Sequence, residues 1–201
     1  MSTQASLESM SFQLKLRVYA VKATKLLAVV GSKGSGKTTT IECIISGLTR
    51  RGFRAGSIKH THHPDFTIDK EGTDTWRHRN AGSKIIAIVS SKETALIVKD
   101  DSQEILPSIL DFMTKRELDI IVIEGFHSSV GQRPDVFKIV TARDTEDLRE
   151  RLRGTVGPIL AISGKIAEET RRLSEIKVPL IDSKTDCSRL VERIELEVFR
   201  G

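Results

Sequence analysis

Residues 31–38 read Gly-Ser-Lys-Gly-Ser-Gly-Lys-Thr and fit the pattern G-x-x-x-x-G-K-[ST] without a gap. Each part of that pattern has a physical task. The glycines allow backbone angles at which successive N–H groups converge on an anion. A helix beginning there adds the positive end of its dipole. Lys37 supplies a charge for the β- and γ-phosphates, and the Thr38 hydroxyl suits Mg²⁺. The pattern therefore predicts a nucleoside triphosphate site built from Ser32, Lys33, Gly34, Ser35, Gly36, Lys37, Thr38 and Thr39.

A site of this kind also needs a carboxylate near the metal. The aliphatic run Ile120-Ile121-Val122-Ile123 ends in Glu124, followed by Gly125. At the carboxyl end of a parallel strand, Glu124 can meet Mg²⁺ directly or through a bound water, and Gly125 can offer its N–H to the γ-phosphate. Lys37 and Glu124 are thus the candidate catalytic residues. Three imidazoles, His60, His62 and His63, crowd the end of another strand-like segment. Zn²⁺ is one reading of such spacing, but no cysteine or regularly placed carboxylate completes a tetrahedral set. The favoured reading is a polar loop in which His62 and His63 touch substrate or phosphates. Asp69 and Asp74 follow, and Asp69 is the further candidate ligand for Mg²⁺.

The elements that must hold these residues are legible from hydrophobic periodicity. Lys25–Val30 is an aliphatic run suited to a strand buried on both faces. Ile41, Ile44, Ile45 and Leu48 then recur at helical spacing, with Gly52 placed to end the helix. Phe53–His60 reads as a strand, and Thr73 as the cap of a short helix ending at Gly82. Lys84–Val89 and Thr94–Lys99 form a hairpin, and Asp101 with Glu104 resembles a capping box. Strands at 119–124, 136–141, 159–163 and 178–181 alternate with helices at 145–153 and from Asp186 onward. The fold class this predicts is α/β, a P-loop NTPase three-layer sandwich. Its sheet is mostly parallel, with an antiparallel hairpin or edge strands. Residues 24–201 form the nucleotide-binding domain. Residues 1–23 form an N-terminal extension, partly mobile, whose alternating segment Phe12–Ala20 could add an edge strand.

Composition narrows the function classes. The chain has 201 residues, of which 38% are apolar and 29% charged, so it can bury a core. No apolar run exceeds five residues, where a membrane helix needs about 20. The 32 basic and 27 acidic residues leave a net charge of +5, but they interleave. With no basic run and few aromatics to stack bases, nucleic acid is not the expected partner. Cys43 and Cys187 offer neither a disulfide framework nor a metal-type pair, and a reduced, cytoplasmic setting is the default. Arg143, Arg149, Arg151 and Arg153 could form the lid of a small-molecule kinase using ATP or GTP. Their alternation with Asp144, Glu146, Asp147 and Glu150 reads more simply as a solvated helix.

Taken in order, Gly31–Thr39, Ile58–His63, Asp69–Thr75, Arg79–Gly82, Val122–Phe126 and Lys138–Val140 carry a resemblance. The chain resembles the MobB type of molybdopterin-guanine dinucleotide biosynthesis proteins over roughly residues 24–182. The resemblance implies a GTP-binding homodimer with at most weak Mg²⁺-dependent GTP hydrolysis. It also implies a partner, the guanylyltransferase that attaches GMP to molybdopterin, and contact with a molybdopterin-type ligand. The N-K-x-D signature by which many GTPases read guanine is not matched by Thr114-Lys115-Arg116-Glu117, so guanine preference rests on the resemblance.

Overall fold

The computed structural model describes residues 23–61, 63, 66–99, 105–169 and 176–200. The alternating segment 12–20, the expected Asp101–Glu104 cap and His62 lie outside the described residues. In chain order the elements are β1 (Lys25–Gly31), α1 (Lys37–Arg50), β2 (Ala55–Lys59) and α2 (Asp74–Asn80). The hairpin strands β3 (Ile85–Val89) and β4 (Thr94–Val98) follow, then α3 (Ile105–Thr114) and β5 (Ile120–Glu124). The remainder comprises α4 (His127–Val130), β6 (Phe137–Thr141), α5 (Thr145–Arg153), β7 (Ile159–Ser163), α6 (Lys165–Glu169) and α7 (Cys187–Ile194). A π-helical turn, Glu195–Arg200, continues α7.

The chain divides into two compact units, one running to Lys59 and resuming at Thr114, the other spanning His60–Met113. The larger unit is built on a five-stranded sheet of order β2-β5-β1-β6-β7, parallel at every pairing. Such central strands are shielded on both faces. Accordingly Leu27–Val30 and Ile120–Ile123 are completely buried. The expected strand at 178–181 is reduced to a single parallel bridge, Leu180 with Ile162. Pro179 has no N–H with which to extend a ladder.

One face of the sheet carries the main core. Leu27, Val29, Ile120, Val122 and Ile139 pack against Ile41, Ile44 and Leu48 of α1 and against Leu190, Val191 and Ile194 of α7. The two helices lie unusually close, because a Cβ on Gly47 would stand 2.4 Å from Val191 Cγ2. Cys43 on α1 and Cys187 at the start of α7 are joined as a disulfide, with Cα atoms 5.8 Å apart. This corrects the expectation of two unpaired thiols. A separation of 144 residues gave no spacing by which to pair them. At the sheet's other alternate positions, α4 and α5 pack against β1, and α5 also against β6.

The smaller unit holds α2, whose cap is as expected: Thr73 Oγ1 accepts the Trp76 N–H at 3.3 Å. Strands β3 and β4 pair antiparallel, with Ile85 opposite Val98 and Ala87 opposite Leu96. Their hairpin is a separate two-stranded sheet and not an edge of the parallel one. Ile85, Val89, Leu96 and Val98 are exposed within it. Among the described residues, no helix is long and apolar enough to cross a membrane.

Candidate functional site

The site begins where β1 ends. Because β1 is pinned between β5 and β6, its terminal Gly31 delivers the loop Ser32–Gly36 to the carboxyl edge of the sheet, and α1 starts at once with Lys37. Gly36 makes that turn with φ +99°, in the left-handed region, and a Cβ there would stand 3.0 Å from Gly164 Cα. Only glycine meets both demands without strain. The far side of the loop is tied down as well. The Lys165 N–H donates to the Ser35 carbonyl at 3.1 Å, and the Ser35 hydroxyl lies 2.8 Å from Thr141 Oγ1, both hydroxyls buried. Ser35 therefore faces inward with its side chain. Lys33 and Gly34 are exposed, and Thr39 is half-buried.

Lys37 folds back over the loop, where Nζ donates to the carbonyls of Ser32 (2.7 Å) and Gly31 (3.0 Å). Burial lowers its pKa; the Glu124 carboxylate opposes that shift and the Lys59 ammonium reinforces it. Thr38 Oγ1 donates to Glu124 Oε1 at 3.2 Å, and Lys59 Nζ lies 3.4 Å from Glu124 Oε2. Strand register explains the second contact, since Lys59 on β2 stands directly beside Glu124 on β5. After Glu124 the backbone turns through two left-handed residues, Gly125 (φ 88°) and Phe126 (φ 54°). For Phe126 that conformation is costly, and such strain is concentrated at functional turns.

Of the predicted site residues, the structure brings together Gly31–Thr38 with Glu124. His63 and Asp69 belong to the smaller unit. The Asp69 side chain is 1% exposed and accepts from Thr75 Oγ1 at 2.7 Å and Thr73 Oγ1 at 3.2 Å, with Arg79 Nη2 at 3.6 Å. Asp74 forms an exposed ion pair with Arg77. Among the described residues, no group of three His, Cys, Asp or Glu side chains is placed to hold a metal ion.

Sequence reasoning missed Asp147. Its side chain is 2% exposed, and Oδ2 accepts the Ser32 hydroxyl at 2.5 Å and the Arg143 N–H at 2.9 Å. Burial alone would raise the Asp147 pKa, but the Ser32 hydroxyl and Arg143 outweigh it and hold the carboxyl below its ordinary range. The reading of α5 as a wholly solvated helix is thereby corrected. The available signal was spacing: Arg143, Asp147 and Arg151 recur every fourth residue and so share a face. Beside this face, His127 Nε2 lies 3.0 Å from Thr155 Oγ1, and burial together with the Arg151 charge lowers the His127 pKa.

A parallel sheet whose first strand runs through a Gly-x4-Gly-Lys-Thr loop into a helix is the frame of a P-loop NTPase-type protein. Within that class, residues 26–156 match the family described as MobB, molybdopterin guanine dinucleotide synthesis protein B, and the chain belongs to this family. It is 38% identical over 123 residues to the molybdopterin-guanine dinucleotide biosynthesis adapter protein of Escherichia coli K12, covering 59% of this chain and 66% of that one. A putative adapter of the same description from Methanocaldococcus jannaschii is 35% identical over 122 residues, covering 61% and 49%. The chain thus spans about half to two thirds of these relatives' lengths. The crystal structure of Bacillus subtilis MobB superposes with a TM-score of 0.68 at 25% identity, covering 88% of this chain and 99% of that one. A MobB homologue from Bacillus stearothermophilus shares the fold, with a TM-score of 0.62 at 20% identity and coverage of 86% and 99%.

Proposed function

We propose that this chain is a GTP-binding adapter of molybdopterin guanine dinucleotide biosynthesis. In this reading it holds Mg²⁺-GTP on the Ser32–Thr39 loop and presents it to a partner guanylyltransferase that attaches GMP to molybdopterin. The observation that carries the reading is the Thr38–Glu124 contact of 3.2 Å beside the phosphate loop, in a chain of the MobB family. A hydroxyl and a carboxylate form a hard oxygen donor pair that fits Mg²⁺, an ion that keeps several waters and takes further oxygens from phosphates. When bound, Mg²⁺ neutralises charge shared between the β- and γ-phosphates. Lys37 binds those phosphates, and Glu124 orients the metal or its water.

Little in the chain favours rapid hydrolysis. No Gln adjoins Glu124-Gly125 to align an attacking water, so at most a slow GTPase is expected. The names of the relatives support guanine as the base and an adapter as the role. The protein acts in the cytoplasm as a homodimer and meets a molybdopterin-type ligand in its complex with the guanylyltransferase.

The test is a reconstituted synthesis reaction with guanylyltransferase, molybdopterin and limiting GTP, run with and without this protein. Stimulation together with co-elution of the two proteins is expected. Absence of both at every GTP concentration, or transfer of a labelled phosphoryl group to a small molecule, would replace the adapter with a kinase.

A further inference from the structure

The Ser32–Asp147 bond joins the phosphate loop to α5, where Asp147 is flanked by Arg143, just before the helix, and Arg151, one turn further along it. Asp147 sits between them, with Arg143 Nε 3.4 Å from Oδ2 and Arg151 Nε 3.9 Å from Oδ1. Arg149 and Arg153 fall on other faces of α5 and are exposed. The Arg151 side chain is only 23% exposed, and its Nε is buried with no hydrogen-bond partner. Its guanidinium is otherwise paired with Glu150, a carboxylate 67% exposed. An ion pair with so exposed a partner contributes little and is readily exchanged.

Charge around the loop is unbalanced. Lys37 feels the charges of Glu124, Lys59, Asp147 and Arg151, and Arg143 is bonded to Asp147. Four cations, Lys37, Lys59, Arg143 and Arg151, therefore gather against three carboxylates, Glu124, Asp147 and the exposed Glu150. Like charges held together in this way repel unless an anion joins them. A triphosphate carries more charge than the loop N–H groups and Lys37 alone can answer. A guanidinium can meet the terminal phosphate with a planar, bidentate fork.

We infer that Arg151 is a cation supplied by the chain itself to the terminal phosphate of the bound nucleotide, and that Asp147 is the positioning residue that holds both Arg151 and Ser32 in place. This rests on the reading of the loop as a triphosphate site and adds to it a preference for triphosphate over diphosphate. The two roles leave different signatures. Arg151 acts on the terminal phosphate alone, whereas Asp147 acts both through Arg151 and through the loop that every phosphorylated nucleotide shares.

The experiment is calorimetric titration of the full chain with Mg²⁺-GTP and with Mg²⁺-GDP. Arg151→Ala should weaken GTP binding about tenfold, the worth of one charge-assisted hydrogen bond, and GDP binding less than about twofold. Arg149→Ala, on the same helix, should change neither. Arg151→Lys should restore part of the GTP affinity, and it carries the test if the alanine variant fails to fold. Ser32→Ala should weaken both nucleotides by similar factors, whereas Asp147→Asn, which releases Arg151 as well as Ser32, should weaken both and GTP the more. Equal losses for GTP and GDP in Arg151→Ala, or no loss in either, would overturn the assignment while leaving the nucleotide site standing. A wild-type chain that binds neither nucleotide would overturn both.

Discussion

Thr38 and Glu124 lie 86 residues apart in sequence, yet the Thr38 hydroxyl donates to the Glu124 carboxylate at 3.2 Å. The pairing follows from strand order. β5 lies directly beside β1, with Glu124 in register with Val29, so the carboxylate emerges next to the loop that β1 feeds. Everything else at the site is arranged around this pair and around Lys37.

Lys37 is the first point to test. Removing one partner of a hydrogen-bonded charge pair costs about 2–5 kcal/mol, so Lys37→Ala should weaken nucleotide binding at least about tenfold. The side chain is not part of the apolar core, and far-ultraviolet circular dichroism should be unchanged. Unaltered affinity by calorimetry would place the triphosphate elsewhere.

Glu124→Gln keeps the size of the side chain and removes its charge. It should flatten the Mg²⁺ dependence of nucleotide binding, because an amide is a poor ligand for a hard cation. A Mg²⁺ titration that matches wild type would remove Glu124 from the metal's surroundings.

The Cys43–Cys187 disulfide closes a very long loop between α1 and α7. Bridges of this kind typically stabilise by about 2–4 kcal/mol. Urea unfolding with and without dithiothreitol should show that loss, and Cys43→Ser should show it without reductant. Coincident curves would mean that Gly47–Val191 packing holds the helices together unaided.

Asp147 predicts a pH dependence. Its folded pKa lies below the ordinary value of about 3.9, so its stabilisation is present above that value and lost as pH falls through the folded pKa. Wild type should therefore be more stable than Asp147→Asn by a constant margin above about pH 5, with the margin shrinking below about pH 4. Thermal unfolding of both proteins between pH 3 and pH 7 measures it. A margin independent of pH would show that shape, not charge, is what Asp147 contributes.

What could be read without coordinates was whatever adjacent residues encode. The phosphate loop, the buried strand before it and the amphipathic helix after it occupy consecutive positions, and backbone geometry there follows from glycine spacing and apolar period. The run ending in Glu124 was legible for the same reason, and so was the Thr73 cap. The tertiary structure alone decided which chain ends meet. Ser32 finds Asp147 across 115 residues, Thr40 finds Ser183 across 143, and Cys43 finds Cys187 across 144. A charged helix with alternating signs looks solvated from its periodicity, because period reports which residues share a face and not what that face opposes. Only the strand order β2-β5-β1-β6-β7, set by long-range packing of nearly interchangeable aliphatic strands, puts the Asp147 face of α5 against the loop.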